Sequence, residues 1–419
     1  MTHLRETIRR NRAGASAALP SVCSSHTDVL RAALLLAETL DRPLAVEATS
    51  NQVNQFGVYT GMRPADFLAH VRGLAADVGC DADRIVFGGA HLGPQAWRSE
   101  SADAAMEKAR DLVAGYAAAG FTKIHLDCAE GCAGEDAHPG DAVSAARAAE
   151  LADIALSAAP DAGAIDFIVG TEVPPPGGAR DDEGVRPTEP EAARATIETH
   201  RAAFGDAARE RILALVVQPG VEFGVWDVDH LPAAANARLR GVLDGYAGLA
   251  FEAHSTDYQR PDAFLRLAAM GFAILKVGPA LTFAWREAIY ALDMLRAFDG
   301  SDVAHESVRS EAERAMLADP RHWESHYRGD ADGVALTRHF SLSDRIRYYW
   351  PQPRLAEAVS ALKEDMRRAP LRRAALSQWF AADVLDRADD LAGARDRLDA
   401  LILAKVQVAL LPYFIEEGR

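Results

Sequence analysis

RIVFGGAHLGP (84–94), SADAAMEKARDLVAGYAAAG (101–120) and TKIHLDCAEG (122–131) follow one another with little between them. An aliphatic run ends in glycine, proline and polar residues. An alanine-rich amphipathic helix follows, and then a second aliphatic run begins. Continuous apolar strands separated by helices mark a parallel sheet covered on its helix side. The rhythm extends outward. LPSVCSSH (19–26) and PLAVEATS (43–50) precede this stretch, and IDFIVGTEVP (165–174), ILALVVQPGVEF (212–223), LAFEAHSTDY (249–258) and AILKVGPALT (273–282) follow it. Helices are expected over 27–40, 64–79, 141–159, 189–205, 231–248 and 281–298. Eight such units favour a closed α/β barrel, the (β/α)8 TIM barrel, over an open doubly wound sheet.

After Ala280 the strand rhythm stops and helical or loop-like segments run to the end. The expected division is a barrel over 1–300 and a C-terminal helical extension over 301–419. PPPGGARDDEGVRPTEP (174–190) is rich in proline, glycine and charge and reads as a long loop on the functional rim.

The 419 residues are 49% hydrophobic and 25% charged, as in ordinary globular proteins. The formal net charge of -16 argues against a general nucleic-acid binder. The charged N-terminal segment MTHLRETIRRNR is followed by no apolar signal core, and no run approaches the length of a membrane span. Four cysteines with no second pair to complete a zinc site suit a reducing compartment. The expected location is the cytoplasm. No GxGxxG turn follows the first strand and no GxxxxGK[ST] occurs, so no nucleotide cofactor is expected.

Sites in such barrels form at the C-terminal ends of the strands. Polar residues gather there: Glu47, Asn51 and Gln52, then His91, His125 and Asp127, then Glu172, Gln218, Glu252, His254 and Lys276. Period-two alternation puts His125 with Asp127 on one face, and Glu252 with His254 on another. Buried Glu47, Glu252 and Lys276 need partners and are candidates for mutual pairing. His91, Asp127, Glu172 and His254 form a divalent-metal set, zinc or similar, with His91, Glu172 and His254 the expected ligands. Such an ion would polarise a ketose carbonyl, with Asp127, Glu172 and Lys276 as the catalytic groups. KVGPALT offers backbone N–H groups around Gly278 near a helix start, on the rim where barrels bind phosphate. SLSDRIRYYW adds Arg345 and Arg347, whose forks suit phosphate oxygens. The expected substrate-binding set is Glu47, Asn51, Gln52, Gln218, Ser255, Asp257, Gly278 and Arg345.

These motifs carry a resemblance. VCSSH, EATSNQVNQFGVYTGM, HLGPQAW, ADAAMEK, AGFTKIHLD, GTEVPPPGG, VVQPGVEF, EAHSTDYQ, ILKVGPALTFAWREAI and SLSDRIRYYWP resemble the GatZ/KbaZ-type family from about residue 20 to residue 351. The resemblance implies a component of class II D-tagatose-1,6-bisphosphate aldolase in galactitol, N-acetylgalactosamine and tagatose breakdown. The favoured expectation is a non-catalytic accessory subunit whose partner is the catalytic aldolase subunit. The alternative is a metal-dependent ketose or ketose-phosphate C4-epimerase or aldolase in its own right. An older kinase label for such proteins finds no P-loop or kinase-type glycine-rich loop here. One departure stands out: the class II aldolase pattern has Asp before the strand-three histidine, and here that position is Ala90. Oligomeric state is left open, with a homo-oligomer among the options.

Overall fold

The computed structural model describes residues 2–170, 185–234, 237–298 and 307–415. Eight parallel strands close into a barrel: β1 (Leu19–Cys23), β2 (Leu44–Thr49), β3 (Ile85–Leu92), β4 (Lys123–Leu126), β5 (Asp166–Gly170), β6 (Ile212–Val216), β7 (Ala250–Ala253) and β8 (Phe272–Val277). Each strand lies beside its neighbours in sequence, and β8 returns to β1 with Val277 opposite Val22. The strands are buried almost throughout, because helices cover one side and side chains fill the interior. All eight strand candidates are present, and the barrel is the TIM barrel expected.

Two connections differ from the sequence reading. The run after β6 does not continue as strand. It turns into a small antiparallel ribbon, with Glu222 opposite Asp229 and Phe223 opposite Val228. The helix expected over 231–248 appears as a 3-10 helix, Ala237–Gly245. Pro232, Gly241 and Gly245 lie in this stretch, and proline and glycine disfavour an α-helix interior.

Both ends of the chain pack on the barrel. The first helix, His3–Arg12, lies across the N-terminal end of the barrel, where Leu4 and Ile8 join Leu19, Ala45, Val86 and Ile168 in a buried cluster. Arg5 anchors it through Asp166 at the start of β5, at 2.5 Å. At the other terminus the helix Arg397–Leu410 packs against the helices Thr27–Thr39 and Pro279–Arg296. Its Gln407 amide donates to the Ala32 carbonyl at 3.0 Å. The barrel's outer core and the C-terminal helices share one continuous apolar cluster.

Candidate active site

The barrel interior holds four charges in alternating sign. The Lys123 ammonium lies 2.5 Å from Glu47 and 2.7 Å from Glu252. Lys276 lies 3.3 Å from Glu47 and 3.8 Å from Glu252. The Ser21 hydroxyl donates to Glu47 at 2.6 Å. Lys123, Glu47 and Glu252 are wholly buried, so none of these charges has water as an alternative partner. Burial opposes ionisation of Glu47, but Lys123 and Lys276 outweigh it and hold the carboxyl below its usual range. Gly88 makes room for this layer, because a Cβ there would stand 2.6 Å from the Glu47 side chain. The pairing expected of Glu47, Glu252 and Lys276 is therefore present. Lys123 completes it and was missed in the sequence, although KxHxD with period two places it on the face of His125 and Asp127.

Above this layer three imidazoles converge. His91, His125 and His254 come from β3, β4 and the end of β7, and each offers a ring nitrogen within 4.8 Å of the others. His91 owes its direction to an irregularity in the β3–β4 register between Gly89 and Leu92. Its backbone takes a positive φ of 53°, a conformation costly for any residue but glycine. A bulge of this kind re-aims a side chain, here toward the barrel axis. Gly93 follows, where a Cβ would overlap the Asp127 carbonyl oxygen.

Each of two imidazoles is oriented by a carboxylate. His91 Nδ1 meets Asp127 at 2.7 Å, which leaves Nε2 free. His254 Nε2 meets Glu252 at 2.8 Å, which leaves Nδ1 buried without a hydrogen-bond partner. His125 Nδ1 accepts from the His91 backbone N–H at 3.2 Å. Burial, with the neighbouring histidines and lysines, pushes His125 and His254 well below the usual imidazole range, so both are neutral. Three converging imidazoles, two of them held by carboxylates and one with an orphaned lone pair, are a donor set suited to zinc or a similar divalent ion. The expected ligands His91 and His254 belong to this set, and His125 stands with them, able to ligate once the hydrogen bond at its Nδ1 is given up. Glu172, expected as a ligand and catalytic acid, lies outside the described residues. Asp127 orients His91.

His91 and His254 open into a cavity of about 360 Å³ at the mouth. Asn51, Gln52, Ser255, Asp257, Lys276, Gly278 and Arg345 line it, with Arg98, His326, Arg347 and Tyr348. Ser255 sits at a φ of 52° with its hydroxyl buried and unpartnered. Gln218 is used differently: its Oε1 accepts from the Gly220 and Val221 backbone amides and shapes that loop. The amides of Gly278 and Ala280 are engaged by Asp257, at 3.0 and 2.8 Å. The helix start that was to offer them to a phosphate is thus already capped by a carboxylate. Sequence spacing could not reveal the Asp257 closure, which joins the loops after two neighbouring strands, whereas the Gln218 turn is local.

Residues 4–416 match the model of a family described as "D-tagatose-1,6-bisphosphate aldolase subunit GatZ/KbaZ-like". The chain belongs to the GatZ/KbaZ-like family. A relative from Agrobacterium fabrum, named D-tagatose 6-phosphate 4-epimerase, is 47% identical over 388 residues, 91% of each chain. A crystal structure of a Sinorhizobium meliloti protein, titled a probable tagatose 6 phosphate kinase, superposes with a TM-score of 0.86. It is 43% identical and the match covers 95% of this chain and 99% of that one. The GatZ/KbaZ-like chain is thus tied to tagatose-phosphate and aldolase-related carbohydrate metabolism. No helix among its described residues is long and apolar enough to cross a membrane.

Proposed function

We propose that this chain is an enzyme in its own right, a metal-dependent C4-epimerase that interconverts tagatose 6-phosphate and fructose 6-phosphate. The observation that carries the reading is the triplet His91, His125 and His254, two of whose members are aimed by Asp127 and Glu252. The name of the Agrobacterium fabrum relative supplies the substrate class. A divalent ion held by the three imidazoles would supply Lewis-acid polarisation of the sugar's carbonyl oxygen. The chain's own residues do the rest. Arg345 and the free Ser255 hydroxyl hold the phosphate, and Lys276 faces the same cavity as a fixed positive charge for a sugar oxygen. Asn51 and Gln52 lie on the rim to bind sugar hydroxyls. Cleavage of the C3–C4 bond, rotation of the aldehyde and re-closure on its other face invert C4. Ala90 removes the carboxylate that the aldolase pattern has there, which disfavours release of the cleaved fragments as net aldolase products.

The family description, which speaks of a subunit, supports a second role as accessory partner of a catalytic aldolase subunit. Metal analysis of the purified chain, with tagatose 6-phosphate turnover measured without a partner, separates the two. About one divalent ion per chain and formation of fructose 6-phosphate are expected. Metal-free protein with no turnover, which nevertheless restores a catalytic aldolase subunit on mixing, would replace the epimerase by the accessory role.

A further inference from the structure

The mouth cavity needs a group that moves a proton, and its described acids are engaged elsewhere. Asp127 is paired with His91, Asp257 caps Gly278 and Ala280, and Glu130 is paired with Arg98. His326 is driven down to about 4 by burial and by Arg345 and Arg347, too weak a base to serve near neutral pH.

Tyr348 is placed differently. It ends the 3-10 turn Arg345–Tyr348 and lines the same cavity as His91, His254 and Lys276. Its hydroxyl oxygen accepts from the Arg347 guanidinium at 2.8 Å. The Arg347 guanidinium carbon stands 4.4 Å from the ring centroid and that of Arg345 stands 5.4 Å away. The ring stacks on His322 at 4.9 Å and meets Tyr59 edge-on at 5.1 Å. The charged and titratable groups around it are thus Arg345, Arg347, His322, Tyr59 and the Cys23 thiol of β1. Burial raises the phenol, but the two arginines outweigh it, so its net shift is downward. The half-buried Tyr59, Tyr258 and Tyr290 and the buried Tyr116 and Tyr413 all shift upward.

We propose that Tyr348 is the catalytic residue that takes the proton from the substrate's C4 hydroxyl and returns it after inversion. This rests on the epimerase reading above. As phenolate, the Tyr348 oxygen accepts the O4 proton. The O4–H electrons form the C4=O bond, and the C3–C4 pair moves into the C2–C3 enediolate. The aldehyde rotates, C3 attacks its other face, and O4 recovers the proton from Tyr348. No proton, electron or co-reactant is gained or lost over the cycle. Arg347 stabilises the phenolate while O4 is a hydroxyl.

The test is Tyr348→Phe in the full chain, read against wild-type turnover. A metal-loaded wild type that does not epimerise overturns the epimerase reading and this proposal with it. If wild type is active, kcat of the variant should fall by about 10²–10⁴-fold, the usual size of a lost acid–base group. Metal content and KM should stay within a few-fold. The limb of kcat/KM that rises with pH in wild type should disappear. A variant with near-normal kcat, or with that limb intact, overturns the proposal. Should the variant fold poorly, 3,5-difluorotyrosine installed at position 348 gives an independent reading. The limb must then move to lower pH, and an unmoved limb overturns the assignment.

Discussion

Asp127 shows at the residue scale how function is divided between a group and its support. It was read from the sequence as a catalytic acid. The structure makes it the acceptor for His91 Nδ1. Asp127→Asn should weaken metal binding by about 10–100-fold, the usual cost of losing such a support, while the barrel stays folded. Competition against a chelator, alongside circular dichroism, checks this. Asp257 carries a pH signature. Burial drives its carboxyl from 3.8 up to about 6, against the pull of the Gly278 and Ala280 amides. The folded chain therefore holds this proton more tightly than the unfolded chain. The resulting stability is present below about pH 4 and is lost as pH rises through about 6, a change of up to about 3 kcal/mol. Asp257→Asn keeps an oxygen acceptor for both amides. It should remove that decline and be the more stable form at pH 7, as read by urea unfolding at pH 4.5, 6 and 7. The sequence displayed most of these side chains at strand ends. It hid their partners, because Asp127 meets His91, and Lys123 meets Glu47 and Glu252, only once separate strands lie side by side.

At the scale of elements, a buried carboxylate anchors the start of the turn Arg345–Tyr348. Asp344, at a φ of 45°, accepts from Thr282 at 2.6 Å and from Arg286 at 2.9 Å, both on the helix that follows β8. Asp344→Ala leaves the Arg286 charge buried without its carboxylate, which should cost about 3–5 kcal/mol. It should also loosen Arg345 and Arg347 at the mouth and raise KM for the sugar phosphate. Chemical denaturation and initial rates check the two effects separately. The β/α units themselves were legible, since a buried parallel strand and an amphipathic helix have different apolar periods. The ribbon Glu222–Phe223 and Val228–Asp229 was not, because a two-residue strand is too short to show any period. The segment 231–248 misled for the opposite reason. Its alanines and leucines suggest a helix, yet its loop glycines and proline favour the tighter 3-10 turn.

On the scale of the whole molecule, barrel and C-terminal helices share one apolar core and should unfold together. Leu398, Leu401 and Ile402 are buried in the cluster that also holds Val29, Leu36 and Leu292. Tyr413 donates to the Thr256 carbonyl at 2.8 Å, on the loop that carries Ser255. A chain ending at residue 395 should therefore lose cooperative unfolding and metal binding at once, whereas the full chain should show a single calorimetric transition. The helix His3–Arg12 has a different consequence. It stoppers the barrel at the end opposite the histidines, with Leu4 and Ile8 seated among strand residues and Arg5 tied to Asp166. Among the described residues that end of the barrel is closed, and the cavity opens at the C-terminal ends of the strands. On the epimerase reading, product leaves by the rim through which its precursor entered, and the two compete for the same cavity. Each sugar phosphate should therefore inhibit conversion of the other competitively, as initial rates at fixed concentrations of the second sugar would show.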